Sequence, residues 1–353
     1  MLITEDKLRK VLGSIDLEGS YNLVHSSILR ELKIDDENVF LQLSISNPSL
    51  QFKNKLKTQI KEIISKEFPK VILEIEFIIE KTIKNIIAVA SGKGGVGKST
   101  ISSNLAVALK NQGFKVGVVD ADIYGPSIPL MFDAENEKPK QIEKDGKYFM
   151  SPIESYGVKI MSIGFFARPG DAMIWRGPMA TKALKEIINN TAWGDLDYLL
   201  IDLPPGTGDI HLSIVQTLSI TGSIIITTPQ PVSVIDARKA INMFKNDTIN
   251  IPIIGIVENM SWLLIDNKKH YIFGKDGGRN LSKAENVELL IEIPLNQSIR
   301  EAGDIGRPAA MQQSNLTNVF NELAQLVNDS ISKRNNNLPP TKKVEITHNR
   351  GCN

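Results

Sequence analysis

A glycine-rich loop between an apolar run and a helical pattern constrains the fold of this chain more than any other feature. The run 86–90 has the composition of a buried strand, residues 92–99 are Gly-Lys-Gly-Gly-Val-Gly-Lys-Ser, and residues 100–109 have helical spacing. Glycines let the backbone wrap closely enough for successive N–H groups to point at phosphate oxygens, and the following helix N-terminus adds partial positive charge. The segment therefore predicts a strand, a phosphate-binding loop and a helix, in that order.

Two residues at the end of this loop carry the expected phosphate and metal chemistry. Lys98 would pair with the β- and γ-phosphates of ATP, and the Ser99 hydroxyl would ligate Mg²⁺. A glycine-rich turn without a ligand is the alternative, but spacing, residue types and context all favour the nucleotide. The residues predicted to contact it are Gly92, Lys93, Gly94, Gly95, Val96, Gly97, Lys98, Ser99 and Thr100.

Apolar strands alternate with helices of ten or more residues from Asn85 onward. This alternation predicts an α/β fold, a mostly parallel and doubly wound sheet with helices on both faces. The predicted strands cover 85–90, 115–120, 197–202, 222–228, 252–257 and 289–293. The predicted helices start near Ser99, Met179, Ile210, Val232 and Gly278, and a last one covers about 313–332.

The chain before residue 83 follows a different pattern. Its features are a helical pattern around Leu8, alternation over 39–45, a Lys-rich helical run over 52–68 and alternation over 71–77. We therefore expect a small α+β accessory domain over 1–82 and an ATPase domain over 83–333. The polar, Pro-containing residues 334–353 are predicted to form a flexible tail.

Overall charge and cysteine content limit the partners and the compartment. Lys and Arg number 41 and Asp and Glu 40, so no global field favours nucleic acid or an anionic membrane, and neither is an expected partner. The early acids Glu5 and Asp6 argue against a secretory signal, and no apolar stretch approaches the roughly 20 residues of a membrane span. The single cysteine, Cys352, excludes an internal disulfide. A cytoplasmic location is expected.

Polar side chains end three of the predicted strands. Asp120 and Asp122 follow one strand, Asp202 follows another, and Asn259 follows a third. Because ligands lie at the carboxyl ends of strands in an open parallel sheet, we expect these groups to converge on the loop 92–99. An Asn side chain can donate and accept in one plane and so match the adenine edge. The alternative for each residue is an ordinary cap or strand-end turn.

Lys93 gives the loop a second lysine, and this pattern resembles the deviant Walker A loop. The ATPase class with that loop includes Min-system positioning proteins, nitrogenase iron protein and Mrp-type carriers. The resemblance implies a homodimer in which Lys93 reaches the partner subunit's nucleotide, adding positive charge where the transferring phosphoryl group spreads its negative charge. A solvated loop lysine is the alternative.

Further stretches resemble the Mrp/ApbC family of iron-sulfur cluster carrier ATPases over about residues 85–332. They are residues 122–129, 175–179, 228–230 followed by Asp236 and Lys239, 257–261, 272–274 and 293–295. The N-terminal unit resembles the small domain that accompanies many members and occurs alone in iron-sulfur assembly factors.

The resemblance assigns a role to each polar strand end. It makes Asp202 the Walker B acid of the Mg²⁺ shell and the turn 204–206 the switch that senses the γ-phosphate. Asp122 would orient or deprotonate the attacking water, and Asp120 would support the water shell of the metal. Asn259 would contact the base.

The chain departs from the family at the expected cluster ligands. Family members usually carry a Cys-x-x-Cys pair shortly after the Glu-Asn-Met-Ser motif, but residues 262–270 contain no cysteine, and the cysteine expected within 46–50 is also missing. Cys352 is thus the one candidate thiolate, with His348 as a candidate nitrogen ligand. An incidental tail cysteine is the favoured alternative. His211 and His270 are expected to be structural or surface residues.

The leading hypothesis is an ATP-binding and ATP-hydrolysing iron-sulfur cluster carrier. By resemblance its cargo is a 4Fe-4S cluster, and its partners are apoprotein recipients and iron-sulfur assembly factors. One alternative is an ATP-switched scaffold or adaptor that ligates no cluster. A positioning-type ATPase ranks third, because the amphipathic last helix carries Glu322 and Asp329 where a basic membrane-binding surface would be needed. A reductase resembling nitrogenase iron protein would require the absent cysteines.

Overall fold

The structure is a computed structural model in which two compact units, Met1–Thr82 and Ile83–Asn353, follow each other along the chain. None of the helices in its described part is long and apolar enough to cross a membrane. The residues described are 4–17, 21–23, 28–45, 50–79, 83–144, 147–166, 177–312, 315–339 and 341.

The first unit packs two helices against a three-stranded sheet. The sheet order is β3-β4-β5, with β3 antiparallel and β5 parallel to β4. A parallel neighbour requires a crossover, which α2 supplies. The core of this unit contains buried side chains from both helices and from the central strand, namely Leu8 and Leu12 of α1, Ile60 of α2 and Leu41 of β4. The elements are α1 Glu5–Leu12, β1 Asp16–Leu17, β2 Tyr21–Asn22, β3 Leu29–Asp35, β4 Asn38–Ile45, α2 Leu50–Glu67 and β5 Ile72–Ile79.

The second unit continues the numbering along the chain. Its strands are β6 Ile83–Ser91, β7 Val116–Asp120, β8 Gln141–Lys144, β9 Lys147–Met150, β10 Ile153–Ser155, β11 Val158–Ser162, β12 Leu196–Asp202, β13 Gly222–Thr227, β14 Ile253–Glu258, β15 Leu263–Ile265, β16 Lys268–His270 and β17 Leu289–Glu292. Its helices are α3 Lys98–Asn111, α4 Ile128–Met131, α5 Gly177–Asn189, α6 Asp209–Thr217, α7 Pro231–Lys245, α8 Gly277–Glu285, α9 Gln297–Asp304 and α10 Asn315–Asn337. Short 3-10 turns cover Ile163–Phe166 and Ala309–Met311.

The core of the second unit is a sheet that, within the described residues, has eight strands in the order β10-β11-β7-β12-β6-β13-β14-β17. Only β10 in this sheet is antiparallel to its neighbour. The central strands are buried along most of their length, because α3 packs on β6, β7 and β12 while α7 packs on β6, β13 and β14. The prediction of a mostly parallel, doubly wound sheet with a small preceding unit is confirmed.

The strand register brings the predicted acids to one edge of the sheet. Asp202 at the end of β12 pairs with Asp120 at the end of β7 and with Val89 of β6, which leads into the glycine-rich loop. Three parallel strands therefore deliver their carboxyl ends to the same place.

Several elements lie outside the predicted set. In the second unit they are α4, the hairpin β8–β9, the pair β10–β11, the hairpin β15–β16 and α9, and in the first unit they are the strands β1 to β3. Each is short, so hydrophobic periodicity has too few repeats to define it.

The last helix extends past the predicted tail boundary at residue 333, to Asn337. Asn335 donates through Nδ2 to Asn85 Oδ1 at 2.9 Å, and Arg334 donates to the Pro339 carbonyl at 2.8 Å. These contacts order polar residues that lack an apolar pattern. Residue 340 and residues 342–353, the remainder of the predicted flexible tail, lie outside the described residues.

Candidate nucleotide site

The glycine-rich loop connects β6 to α3 and leaves no room for a side chain at two of its glycines, Gly92 and Gly97. Gly97 has φ of 84°, and a Cβ there would lie 2.3 Å from Asn259 Nδ2. At Gly92 a Cβ would meet the Asp236 carbonyl of α7 at 2.0 Å. Glycine at these positions lets the loop lie against two other elements and still enter α3 at Lys98.

A buried ion pair joins the loop to the end of β12. Lys98 Nζ lies 2.8 Å from Asp202 Oδ2, with side chains 6% and 0% exposed. The Ser99 hydroxyl donates to the same carboxylate oxygen at 2.6 Å, and the Ser102 hydroxyl donates to Asp202 Oδ1 at 2.6 Å. Ser102 is not among the site residues predicted from the sequence, although it lies three residues after Ser99 and so on the same face of α3.

These groups fit a magnesium ion. Ser99 Oγ and Asp202 Oδ2 lie 2.6 Å apart, and Mg²⁺ prefers such hard oxygen ligands. The described residues contain no cluster of three or more His, Cys, Asp or Glu that could hold a metal by themselves. Mg²⁺ commonly binds through one or two protein oxygens together with phosphates and water. Ser99 and Asp202 would therefore hold the ion together with a nucleotide.

Asp120 is fully buried and accepts three hydrogen bonds from the protein. The donors are the Ser162 hydroxyl at 2.9 Å and the backbone N–H groups of Ile128 and Asp122, each at 3.2 Å. Burial, and then the charge of Asp202, raise the pKa of Asp120 to about 7. Asp120 thus connects β7, β11 and α4, and its predicted role in the metal's water shell stays a prediction. Ser162 carried no recognisable sequence signal.

Asp122 lines the same cavity as the loop. This cavity of about 200 Å³ is bordered by Ser91, residues 93–100, Asp122, Ser127, Met131 and Pro205. Partial burial raises the pKa of Asp122, while the charge of Lys98 opposes the shift. The structure therefore brings Asp122 to the loop as the sequence predicted. Its role toward water stays a prediction.

Lys93 and Asn259 have opposite environments. Lys93 is exposed at the rim of the cavity, so its side chain is free to meet a partner.

Asn259 is buried, donates through Nδ2 to the Val96 carbonyl at 2.9 Å and accepts at Oδ1 from the Met260 N–H at 2.9 Å. Its amide therefore braces the glycine-rich loop, and contact with an adenine base stays a prediction.

The segment expected to carry the cysteine pair is instead the hairpin β15–β16. Asp266 and Asn267 form its turn with φ of 48° and 57°, and Lys269 Nζ lies 3.5 Å from the centre of the Trp262 ring. His270, at the end of β16, is exposed. The candidate ligands Cys352 and His348, and also 46–49 and 175–176, lie outside the described residues.

Comparison with known proteins also indicates a P-loop nucleotide site in this chain. Residues 82–328 match the family model described as ParA, NUBPL iron-transfer P-loop NTPase. This chain belongs to that family. The predicted resemblance to the Mrp/ApbC carriers is thereby confirmed, and the chain is a nucleotide-binding P-loop NTPase.

Individual relatives match this chain over about two thirds of its length. A protein of Pseudomonas fragi named iron-sulfur cluster carrier protein is 49% identical over 247 residues, which are 69% of this chain and 84% of the relative. The Escherichia coli protein of the same name is 48% identical over 249 residues, 69% of this chain and 66% of the relative. A nucleotide-binding protein of Archaeoglobus fulgidus, solved in complex with ADP, is 36% identical with a TM-score of 0.58, over 68% of this chain and 93% of that protein.

Proposed function

We propose that this chain is an ATP-hydrolysing carrier that binds iron-sulfur clusters and passes them to apoproteins. The observation that carries the proposal is the 49% identity to the Pseudomonas fragi carrier protein. The matched family region, 82–328, also contains every described residue of the candidate nucleotide site. The cluster in this proposal is cargo, while the nucleotide drives its uptake and release.

The site supports ATP hydrolysis through charges that are already in place. Lys98 would exchange Asp202 for the β- and γ-phosphates when the nucleotide enters, and Ser99 and Asp202 would hold Mg²⁺. The bound ion would neutralise phosphate charge. Asp122 would accept the proton of the attacking water, and its raised pKa makes the ionised carboxylate a stronger base.

The proposed working form is a homodimer. Lys93 is exposed at the cavity rim, where a second copy could receive it beside its own nucleotide. A lysine supplied in this way would stabilise the negative charge of the transferring phosphoryl group. Its removal should slow hydrolysis more than it weakens ATP binding.

Because this chain has no Cys-x-x-Cys pair, cluster binding would need other ligands. Each chain contributes one cysteine, Cys352, so a homodimer offers two thiolates, and His348 could add nitrogen ligands. The recipient or a donor protein would supply any remaining ligand during transfer. This arrangement would favour release, because a cluster with few carrier ligands is held less tightly.

A second function is favoured by one specific observation. The stretch 262–270, where the relatives' cysteine pair was expected, forms a closed hairpin without cysteine. The same ATP-driven core could therefore act as a scaffold or adaptor in cluster assembly that never ligates iron.

Anaerobic reconstitution with iron and sulfide separates the two functions. The wild type and Cys352→Ala are compared for iron bound per dimer and for visible absorbance, with ATP hydrolysis as the folding control. A carrier binds stoichiometric iron that the variant loses. A wild type that hydrolyses ATP but binds no stoichiometric iron would leave the scaffold as the function.

A further inference from the structure

Ser102 is a fully buried serine of α3 whose hydroxyl leaves the helix. Polar side chains inside a helix can bond a carbonyl of the preceding turn, and the two residues that follow Ser102 do so. The Ser103 hydroxyl donates to the Thr100 carbonyl at 3.0 Å, and Asn104 donates through Nδ2 to the same carbonyl at 2.8 Å. Ser102 instead donates to Asp202 Oδ1 at 2.6 Å. Its hydroxyl therefore bonds a residue of the nucleotide site and not its own helix.

The two carboxylate oxygens of Asp202 have different neighbours. Lys98 Nζ lies 2.8 Å from Oδ2, and the Ser99 hydroxyl donates to Oδ2 at 2.6 Å, whereas Ser102 holds Oδ1. The last torsion of an Asp side chain is broad, so the carboxylate has no strong preferred orientation of its own. Donors on both oxygens fix that orientation in this structure.

The donors on Oδ2 differ from the donor on Oδ1 in having a second task. In the proposed function Lys98 binds phosphate and Ser99 binds Mg²⁺, so both would exchange Asp202 for new partners. Ser102 is 0% exposed and does not border the cavity of the glycine-rich loop. Its bond to Oδ1 would therefore remain when nucleotide and metal bind.

We propose that Ser102 is a positioning residue of the metal site. Its hydroxyl holds Asp202 Oδ1 and thereby keeps Oδ2 turned toward Ser99 and the Mg²⁺ that accompanies the nucleotide. The proposal rests on the proposed ATPase function and names a further residue of the same site. Groups that hold a metal-ligating side chain orient it, and their loss commonly lowers metal affinity or activity by about 10- to 100-fold.

The test measures how strongly Mg²⁺ enhances the affinity for ADP. The full-length chain is titrated with fluorescently labelled ADP, once with excess Mg²⁺ and once with EDTA, and the ratio of the two affinities is the Mg²⁺ enhancement. Ser102→Ala should reduce this enhancement about tenfold and leave the affinity in EDTA within about twofold of the wild type, because Ser102 acts on the metal through Asp202. A general loss of packing would lower both affinities together.

Two further variants control for packing. Ser103→Ala also removes a buried hydroxyl of α3, but one that bonds the helix backbone, so its Mg²⁺ enhancement should stay within about twofold of the wild type. Ser102→Cys keeps nearly the same side-chain size and offers only a weak donor. It should reduce the enhancement about threefold or more, which tests the proposal even if the alanine variant folds poorly.

The possible results separate this proposal from the proposed function. Wild-type enhancement in a folded Ser102 variant would overturn the proposal, and so would equal losses with Mg²⁺ and with EDTA. A Ser103→Ala variant that behaves like Ser102→Ala, or a wild type without any Mg²⁺ enhancement, would overturn it as well. Phosphate release from ATP is measured alongside. A wild type with Mg²⁺-enhanced ADP binding but no phosphate release would remove the proposed hydrolysis and leave the role of Ser102 in place.

Discussion

The buried pair Lys98–Asp202 gives a stability prediction that can be worked from its geometry. The two groups are 2.8 Å apart and 6% and 0% exposed. Removing one partner of such a pair leaves a buried charge uncompensated, which costs about 3–5 kcal/mol. Asp202 keeps the hydroxyl donors of Ser99 and Ser102, so we expect Lys98→Met to lower the free energy of unfolding by about 3 kcal/mol, the low end of that range.

The double variant is the matched control. Adding Asp202→Asn removes the second charge and leaves a carbonyl oxygen that still accepts from a serine hydroxyl. Replacing both members of a buried pair is often nearly neutral, so we expect the double variant to regain about 2 kcal/mol over Lys98→Met.

Urea unfolding without nucleotide, followed by tryptophan fluorescence, measures both changes. The chain has three tryptophans, at 175, 193 and 262, so the signal comes from the second unit alone. Two results would refute the idea that Lys98 compensates the buried charge of Asp202. One is a decrease in unfolding free energy below about 1 kcal/mol for Lys98→Met, and the other is a decrease in the double variant equal to the sum of the two single ones.

Three further predictions concern the same loop and its acids. Lys98→Ala should abolish phosphate release from ATP, while Lys93→Ala should lower kcat with ATP affinity retained, as measured by nucleotide titration. Gly97 has a φ of 84°, and a Cβ there would clash with the side-chain amide of Asn259. Gly97→Ala should therefore lower the free energy of unfolding, measured by urea titration, by about 2 kcal/mol or more. Gly113→Ala, with φ of 94° and open space, is its control and should lose about 1 kcal/mol. Because the pKa of Asp120 rises to about 7 on folding, its contribution to stability is present at low pH and declines by up to about 1.4 kcal/mol per unit as pH rises toward 7. Asp120→Asn should remove that decline, and parallel stability curves for both proteins from pH 5 to 7 would contradict it.

Local sequence patterns were sufficient for the main elements of the second unit. The strand, loop and helix at 86–109 follow from apolar runs, glycines and helical spacing, which are properties of neighbouring residues. Short elements such as α4 and the hairpin β15–β16 were not predicted, because three or four residues show no period. The end of α10 was also missed, since Asn335 is ordered by a contact with Asn85 that no local pattern records.

The sequence by itself determined the glycine-rich loop, the strand-end acids and the family to which they belong. Only the tertiary structure decided which groups meet: Ser102 with Asp202, Ser162 with Asp120, and the Asn259 amide with the loop carbonyl of Val96. These pairs join residues from 42 to 163 positions apart in the chain, so they depend on strand order and register. Sequence spacing specifies the conformation of a segment, whereas the packing of the whole sheet specifies its neighbours.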